Sequence, residues 1–437
     1  MITELRLQDF KNFKDATLRL GPFTVVVGAN ASGKSNIRDA FRFLHGVGRG
    51  YSLADIIGGK YGAGGQSEWA PLRGAANEIV RFGETAFKID VKLEFPAERP
   101  DEEKPLPAEY SVGVEKIDRG RGGFRVASEE LKVLGETIFS SAPGFIHSLN
   151  LQIDPEAVPS KVNAAKDKFV QSLQRTLAAI ATEYSGQPAL SLGAHSRALS
   201  PEHEVFVTKV LDGLAGMQFL DLVPDQMRKP AFPGQTVLGD SGENLPSVLN
   251  EICLAPDRKA ILIDWIQELT PLDVVDFEFP RDPSGLIHLV LKERSGIAVS
   301  AYSASDGTLR FLALLAALFG THSAKLYFCE EIETGVHPSR LRLLLDLVER
   351  QTAKNGIQVI ATTHSPDLLQ MIGDSTFNYT SVVYRPRDTD QAIIRPVADL
   401  PNARRLRAEQ GLGPLHASGW MEDVLFFNED NEQTAAK

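Results

Sequence analysis

The chain has 437 residues, of which 43% are hydrophobic and 24% are charged, and its formal net charge is −11 at pH 7. This length allows two or three domains of about 150 residues each, and this composition excludes both disorder throughout the chain and the fibrous classes. The negative charge argues against broad electrostatic adhesion to nucleic acid, because that binding depends on Lys and Arg side chains that neutralise phosphates.

The first elements along the chain are predicted strands, a loop and a helix. Residues 2–10 and 16–20 have the apolar spacing of strands, and residues 23–30 ("FTVVVGAN") begin with a continuous apolar run that suits a strand covered on both faces. A glycine-rich turn follows, and apolar residues then return at helical spacing in residues 35–47. The predicted order is therefore strand, loop and helix.

The middle of the chain predicts an antiparallel sheet. Residues 85–95 alternate between apolar and charged side chains from Phe87 onward, which is typical of a strand with one solvent-exposed face. Residues 110–117 and 124–131 resemble antiparallel neighbours of that strand. Residues 160–184 are helix-like and polar, so we expect a surface excursion there.

The second half of the chain alternates strands with helices. The predicted order is helix 243–252, strand 286–293, helix 308–320, strand 325–331, helix 338–354, strand 357–365 and helix 366–372. Such alternation favours a mostly parallel sheet that is covered by helices.

We expect a cytoplasmic protein without membrane segments. The longest apolar stretch, residues 311–320, is about half as long as a membrane-spanning helix must be. Residues 1–13 alternate apolar and polar side chains where a signal peptide would have an apolar core. The two cysteines, Cys253 and Cys329, provide neither a disulfide framework nor a thiolate metal site.

A phosphate-binding motif lies between the predicted strand and the first predicted helix. Residues 28–35, "GANASGKS", match the pattern G-x-x-x-x-G-K-[ST] in the strand–loop–helix context that its mechanism requires. The glycines allow backbone N–H groups to close around a phosphate, and Lys34 should reach the β- and γ-phosphates. Ser35 should bind Mg²⁺. We therefore expect ATP and Mg²⁺ as ligands.

Two adjacent glutamates end the apolar run "LYFCEE". Like charges so close together repel each other unless a cation is bound or one carboxyl is protonated, and a nucleotide-bound Mg²⁺ would supply that cation. Glu330 would bind the ion through water, and Glu331 would orient and deprotonate the attacking water. Taken alone, the pair is equally consistent with two solvated acids at the end of a strand.

Two further segments are candidates for contact with phosphate. His364 follows the next apolar strand, where ligands gather in open parallel sheets, although a lone histidine there is more often a polar cap. Ser305 and Gly307 precede a long apolar helix and could present a hydroxyl and N–H groups to an anion. On chemistry alone, that segment is more typical of a helix N-cap.

Together and in this order, the motifs resemble the ATP-binding-cassette (ABC) type of ATPase head, in the branch that contains RecF, the SMC proteins, the OLD-family ATPases and small AAA-type ATPases without a Toprim domain. The matching segments are Gly28–Ser35 for the Walker A motif, Ser305–Thr308 for the signature loop, Leu326–Glu331 for the Walker B motif, Glu333–His337 for the D-loop and His364 for the switch histidine. Residues 2–15 and 227–252 are similar to the opening strand and to the lead-in to the second lobe of this branch. The resemblance covers about residues 1–370.

The resemblance implies an α/β fold: a P-loop NTPase with an ABC-type two-lobed ATPase head, a mixed or parallel core sheet, an antiparallel β subdomain and a helical insertion. It places lobe I in residues 1–230, with the insertion at about 100–200, and lobe II in residues 231–375. Residues 376–437 would form a C-terminal extension.

The resemblance also implies a homodimer that sandwiches ATP, in which the signature loop of one subunit caps nucleotide bound at the Walker A motif of the other. Ser305 would then act in trans on ATP bound at Lys34. The residues expected to contact ATP are Gly28, Asn30, Gly33, Lys34, Ser35, Asn36, Ser305 and Gly307. The expected Mg²⁺ residues are Ser35 and Glu330, and the expected catalytic residues are Lys34, Glu331 and His364.

Three departures from the family pattern bear on activity. Glu330 replaces the Walker B aspartate, which lengthens the side chain by one methylene and keeps its charge. The signature reads "ASDGT" where the wider family has LSGGQ, a variation similar to the OLD-type branch and unlike a transporter subunit. The third departure is that the sequence has no evident Q-loop glutamine, for which Gln226 is our candidate.

The expected function is ATP hydrolysis that reopens the dimer and signals to a partner. Fold-level analogy favours a nuclease-like effector in DNA repair or anti-phage defence. Fewer than about 75 residues follow His364, too few for a domain of about 100 residues, so we expect the effector to be a separate protein encoded nearby. Two alternatives stay open: a nucleotide-gated scaffold with little turnover, and the ATPase subunit of a membrane transporter.

Two features leave partner binding open. The basic run at residues 404–407 would allow local contact with nucleic acid, although such a run is more often a solvated helix face. Residues 411–427 contain Gly, Trp and Phe side chains that could dock a partner or pack on the second lobe.

Overall fold

The computed structural model describes residues 1–74, 76–96, 105–117, 123–142, 145–149, 187–188, 190, 201–270, 273–320, 324–386 and 389–425. The polar helical excursion predicted for residues 160–184 lies outside these ranges, as does most of the insertion around it. The end of the C-terminal extension, residues 426–437, also lies outside them.

The chain forms two compact units, each assembled from three segments. The first unit contains Met1–Leu20, Ala29–Met217 and Val383–Arg395, and the second contains Gly21–Gly28, Gln218–Val382 and Pro396–Lys437. The lobes expected at residues 1–230 and 231–375 stay a prediction.

The first unit contains a seven-stranded antiparallel sheet with the order β10-β9-β8-β7-β6-β1-β2. Its strands are β1 (Ile2–Phe10), β2 (Phe13–Arg19), β6 (Ala86–Phe95), β7 (Leu106–Ile117), β8 (Gly123–Val133), β9 (Glu136–Ala142) and β10 (Phe145–Leu149), and a separate hairpin joins β4 (Lys60–Tyr61) to β5 (Ser67–Trp69). The alternation in β6 buries Phe87, Ile89, Val91 and Leu93. This pattern confirms the predicted strand and its antiparallel neighbours.

Three helices of the described residues belong to the first unit: α1 (Lys34–Gly48), α2 (Leu53–Gly58) and α3 (Pro201–Ala215). Ile37, Phe41 and Leu44 of α1 are fully buried, as their spacing predicts. Helix α1 packs against α3. The backbone of Gly48 approaches α3 so closely that a Cβ atom there would lie 2.4 Å from the nitrogen of Ala215.

The second unit is built on a parallel sheet. Its strands are ordered β11-β15-β16-β3-β17, and the pairs β15–β16, β16–β3 and β3–β17 are parallel. These strands are β3 (Phe23–Val27), β11 (Met217–Leu220), β15 (Leu326–Cys329), β16 (Gln358–Thr363) and β17 (Thr380–Tyr384). Every residue of β3, β15 and β16 is buried, as expected for parallel strands that are covered on both faces.

Helices and a small antiparallel sheet complete the second unit. The helices are α4 (Pro224–Met227), α5 (Leu245–Cys253), α6 (Pro256–Leu269), α7 (Asp306–Phe319), α8 (Leu341–Asn355), α9 (Pro366–Met371), α10 (Asp374–Asn378), α11 (Ala403–Gln410) and α12 (Leu412–Ala417). The small sheet contains β12 (Val274–Glu278), β13 (Val290–Glu293) and β14 (Ala298–Ser300). Strand β18 (Ile393–Pro396) belongs to the first unit except for its last residue. The predicted α/β fold with a parallel core sheet and an antiparallel subdomain is confirmed.

Several predicted boundaries were wrong by a few residues. Strand β3 ends at Val27 and β15 ends at Cys329, so residues 28–30 and both glutamates lie in the loops that follow. The strand predicted at 286–293 begins only at Val290, because Ile287 pairs instead in isolated bridges with Ala231 and Arg281. The helix predicted from 338 begins at Leu341 after a 3₁₀ turn.

The C-terminal segment packs within the second unit as far as it is described. Helix α12 lies against α9, and Leu412, Leu415 and Met421 are buried. Packing thus accounts for the apolar residues at 411–425. Within the described ranges, none of the helices has the length and apolar content needed to cross a membrane.

Candidate nucleotide site

The phosphate loop starts where β3 ends. Gly28, Ala31 and Gly33 have φ angles of 148°, 61° and 122°, a left-handed backbone that favours glycine. Lys34 is only 8% exposed, and its Nζ donates to the carbonyl oxygen of Ala29 at 2.8 Å. Ser35 and Asn30 are exposed. The loop therefore curls back over its own lysine.

A turn between β1 and β2 supports the phosphate loop within the first unit. Asn12 Nδ2 donates to the carbonyl oxygen of Ser32 at 3.3 Å, and Asn36 Nδ2 donates to Asn12 Oδ1 at 2.7 Å. A Cβ atom at Gly33 would lie 2.9 Å from Asn12 Nδ2, so only glycine fits there without displacing Asn12. Asn36 was predicted as a nucleotide contact, and its side chain supports the turn.

A nearly buried ion pair anchors the same turn to α1. Lys11 Nζ contacts Asp39, whose side chain is 1% exposed, and Lys11 also donates to the carbonyl oxygen of Arg73 at 2.7 Å. Arg73 Nε lies 3.4 Å from Asp39 Oδ1. The sequence analysis missed Asn12 and Asp39 as supporting residues. The only signal was that residues 2–15 resemble the opening strand and turn of ABC-type heads.

The strand register of the second unit aligns three chain segments at one edge of the sheet. Val27 pairs with Thr363, and Cys329 pairs with Ala361. Gly28, Glu330 and His364 are the residues that follow these three strands, and they lie at the carboxyl edge where ligands bind in open parallel sheets. The phosphate loop continues directly from Gly28.

Glu331 has a strained backbone. Its φ angle is +49°, a conformation that non-glycine residues rarely adopt and that is concentrated at functional sites. Its N–H donates to Thr362 Oγ1 at 3.1 Å, and its Oε2 accepts from Thr334 Oγ1 at 3.3 Å. The residue is exposed, and one hydrogen bond fixes its backbone while a second fixes its carboxylate.

Glu333 links the D-loop to the segment that carries His364. Its Oε1 accepts from Thr363 Oγ1 at 2.7 Å and from the N–H of His364 at 3.1 Å. Within the described part of the chain, Oε2 of Glu333 is buried and has no hydrogen-bond partner. The sequence analysis placed Glu333 in the D-loop and assigned it no role.

A small cavity of about 60 Å³ adjoins both Glu330 and Glu331. Asp221, directly after β11, and Arg310 of α7 also line it.

Gln226, our Q-loop candidate, lies on α4, where its Oε1 accepts from Lys229 Nζ at 2.8 Å. Its assignment to the Q-loop stays a prediction.

Cys329 directly precedes Glu330 in the chain. Burial raises the pKa of its thiol to about 12, so this cysteine stays protonated and unreactive.

The signature loop caps helix α7 through Ser305 and makes a close backbone contact through Gly307. Ser305 Oγ accepts from the N–H of Thr308 at 3.2 Å, so the capping role that its chemistry suggested is present. A Cβ atom at Gly307 would lie 2.2 Å from the carbonyl oxygen of Gly335. The signature loop therefore packs on the D-loop, which the positions of the two motifs in the sequence did not predict.

The comparisons with known proteins agree with this geometry. A family model described as "AAA domain, putative AbiEii toxin, Type IV TA system" matches residues 23–104 and 254–370, ranges that include the Walker A, signature, Walker B and switch residues. A protein named "ATP/GTP phosphatase" from Helicobacter pylori is 23% identical over 410 residues, which cover 90% of this chain and 94% of that protein. RecF from Carboxydothermus hydrogenoformans is 22% identical over 176 residues, 40% of each chain.

These matches identify the chain as an ATPase that resembles the RecF branch of ABC-type heads. The solved SMC head domain from Thermotoga maritima aligns with 91% of this ATPase and 98% of its own length, at 12% identity and a TM-score of 0.41. Nucleotide binding is what the likeness of this ATPase to these proteins implies. The individual nucleotide, magnesium and catalytic residues stay predictions.

Proposed function

We propose that this ATPase binds ATP with Mg²⁺ at the phosphate loop and that two copies close around two ATP molecules. The observation that carries this proposal is the strand register, in which Val27 pairs with Thr363 and β15 lies on the far side of β16. It supports a common edge for the start of the phosphate loop, the acidic pair and the switch histidine.

Each residue has a distinct task in this scheme. Lys34 binds the β- and γ-phosphates, and Ser35 holds Mg²⁺ together with Glu330, which acts through water. Magnesium neutralises charge on the phosphates when it is bound. Glu331 orients the attacking water and takes its proton, and His364 hydrogen-bonds the γ-phosphate. The fixed backbone of Glu331 supports this task, since positioning is the main contribution of a protein to phosphoryl transfer.

A second copy of the chain would complete each site. Ser305 and the N-terminus of α7 would cap ATP that is bound at Lys34 of the partner, because a helix N-terminus favours an anion. Exposure of Asp306 and Tyr302, at 68% and 60%, supports a surface that is open to a second copy. Hydrolysis would then reopen the dimer.

The signal from the dimer would go to an effector protein. The family description names a putative toxin of a toxin–antitoxin system and the RecF relative is named for DNA replication and repair, so a nuclease-like effector in DNA repair or anti-phage defence is our proposal. We place this exchange in the cytoplasm. Contact with nucleic acid through Arg404 and Arg405, both exposed on α11, belongs to the same proposal.

One experiment tests hydrolysis and dimerisation together. Phosphate release and sedimentation with Mg²⁺ and ATP would be compared for the wild type, Lys34→Ala and Glu331→Gln. We expect Glu331→Gln to lower kcat at least about 100-fold while an ATP-dependent dimer accumulates. Lys34→Ala should lose both responses.

A nucleotide-gated scaffold is the second candidate. It is favoured by Glu330, which is longer than the usual aspartate, and by the negative charge of Asp306 in the signature loop. Equal and negligible phosphate release by the wild type and Glu331→Gln, with ATP-dependent dimerisation of both, would favour the scaffold over the ATPase.

A further inference from the structure

The signature loop of this chain carries a negative charge beside the residue that should meet a phosphate. Asp306 stands directly after Ser305, at a position where the wider ABC family has glycine, and it is the first residue of α7. Its side chain is 68% exposed. A carboxylate at a helix N-terminus stabilises the helix, but it repels any phosphate that approaches the same N-terminus.

Arg228 is fixed against that carboxylate. Its Nη2 donates to Asp306 Oδ1 at 2.6 Å and to the carbonyl oxygen of Ala304 at 3.2 Å. On its other side, Nη1 donates to Asp225 Oδ1 at 3.0 Å. The arginine side chain is only 18% exposed. Charge-assisted bonds of this length are the strong ones, so the guanidinium stays beside the signature loop.

The shape of the loop has supports that do not involve Arg228. Ser305 Oγ caps the helix through the N–H of Thr308, and Gly307 packs against the backbone of Gly335. Removal of the guanidinium would therefore change the charge of the loop more than its conformation.

We propose that Arg228 is a positioning residue for ATP capping: it cancels the charge of Asp306, so that Ser305 and the N-terminus of α7 accept the terminal phosphate bound to a second copy. This inference rests on the proposed ATP-sandwich dimer. Arg228 acts through Asp306 in this account and does not itself contact the nucleotide.

The test is a double-variant cycle on the full chain. Arg228→Gln, Asp306→Asn and the double variant would each be combined with Glu331→Gln, and the ATP concentration that half-saturates dimerisation would be measured by sedimentation with Mg²⁺. Asp225→Asn is the matched control, because Asp225 is 89% exposed and binds the side of Arg228 that faces away from the signature loop. Thermal unfolding of each variant would show that it folds.

We expect Arg228→Gln to raise the half-saturating ATP concentration about 10- to 100-fold, because the uncancelled carboxylate of Asp306 would then face a like charge, the terminal phosphate, across the interface. In the double variant the defect should shrink to within about threefold of Asp306→Asn alone, since no charge is left to cancel. Asp225→Asn should stay within about threefold of its parent.

Three results separate the possibilities. If the double variant is as impaired as Arg228→Gln, then Arg228 contacts the phosphate directly and the proposal is wrong. If Arg228→Gln binds like its parent, then the charge of Asp306 is irrelevant and the proposal is also wrong. If the parent does not dimerise with ATP at all, then the proposed sandwich fails first, and this inference fails with it.

Discussion

Glu333 Oε1 accepts a hydrogen bond from Thr363 Oγ1 at 2.7 Å, and the same oxygen accepts from the N–H of His364 at 3.1 Å. The D-loop therefore holds the end of β16 in place. Because Glu331 lies two residues before Glu333, the expected general base and the switch histidine are positioned by one short loop.

Glu333→Ala should destabilise the second unit. The change leaves the hydroxyl of the buried Thr363 and the N–H of His364 without their acceptor, which costs about 1–3 kcal/mol in the free energy of unfolding. Urea unfolding measures this cost. Glu333→Gln is the matched control, because its Oε1 can still accept both bonds, and equal losses for the two variants would show that the acceptor is unimportant.

Thr362→Val should slow hydrolysis while the protein stays folded. Thr362 Oγ1 accepts the N–H of Glu331, whose φ angle is +49°, and Val has the same shape without the acceptor. A shift of Glu331 by about 1 Å can cost on the order of 100-fold in kcat, so we expect a loss of about 10- to 100-fold with little change in KM. Steady-state phosphate release provides the measurement. An unchanged kcat would mean that this bond does not position Glu331.

Gly307→Ala should disrupt the contact between the signature loop and the D-loop. The added Cβ would lie 2.2 Å from the carbonyl oxygen of Gly335, so backbone must move, at a cost of about 1–3 kcal/mol. Gly58→Ala is the control, since Gly58 is also helical and a Cβ there would have no atom within 4 Å. We expect that control to be neutral or slightly stabilising. Similar unfolding midpoints for the two variants would contradict the close contact.

Acid should destabilise the first unit through His45. Burial lowers the pKa of His45 from 6.5 to about 4, and its Nδ1–H donates to the carbonyl oxygen of Leu214 at 3.1 Å. The folded state thus binds the proton more weakly than the unfolded state, so the contribution of neutral His45 is complete above pH 6.5 and is lost as the pH falls towards 4. The loss amounts to about 3 kcal/mol.

His45→Asn provides the comparison, because asparagine can keep the donor and does not titrate. The difference in unfolding free energy between the wild type and His45→Asn should fall between pH 7 and pH 4 by about the predicted amount. A difference that does not change with pH would contradict the lowered pKa.

Local patterns predicted the elements well, because each depends on residues close in the chain. The alternation in 85–95 and the apolar run of β3 correspond to the observed strands, and "GANASGKS" forms the loop after β3 together with the first two residues of α1. The sequence patterns did not predict the exact ends of several strands and helices. Strand β15 ends at Cys329, two residues before the left-handed backbone of Glu331, and apolar patterning carries no information about that angle.

Contacts between distant residues could not be predicted in the same way. Arg228 and Asp306 are 78 residues apart, and Glu333 and Thr363 are 30 apart. Such pairs arise only when several elements pack together, so no spacing rule reports them. The resemblance to ABC-type heads placed Glu333 and Asp306 in named loops, but their partners came from the structure.

The most direct test of the central claim is a subunit-mixing experiment. Lys34→Ala removes the phosphate-loop lysine and Ser305→Arg blocks the signature loop, so each variant alone should lack ATPase activity. In an equal mixture, half of the dimers would pair the two variants and each would contain one intact site, so the account predicts about a quarter of the wild-type rate. A mixture as inactive as the separate variants, with mixed dimers shown to form, would contradict a site completed by a second copy.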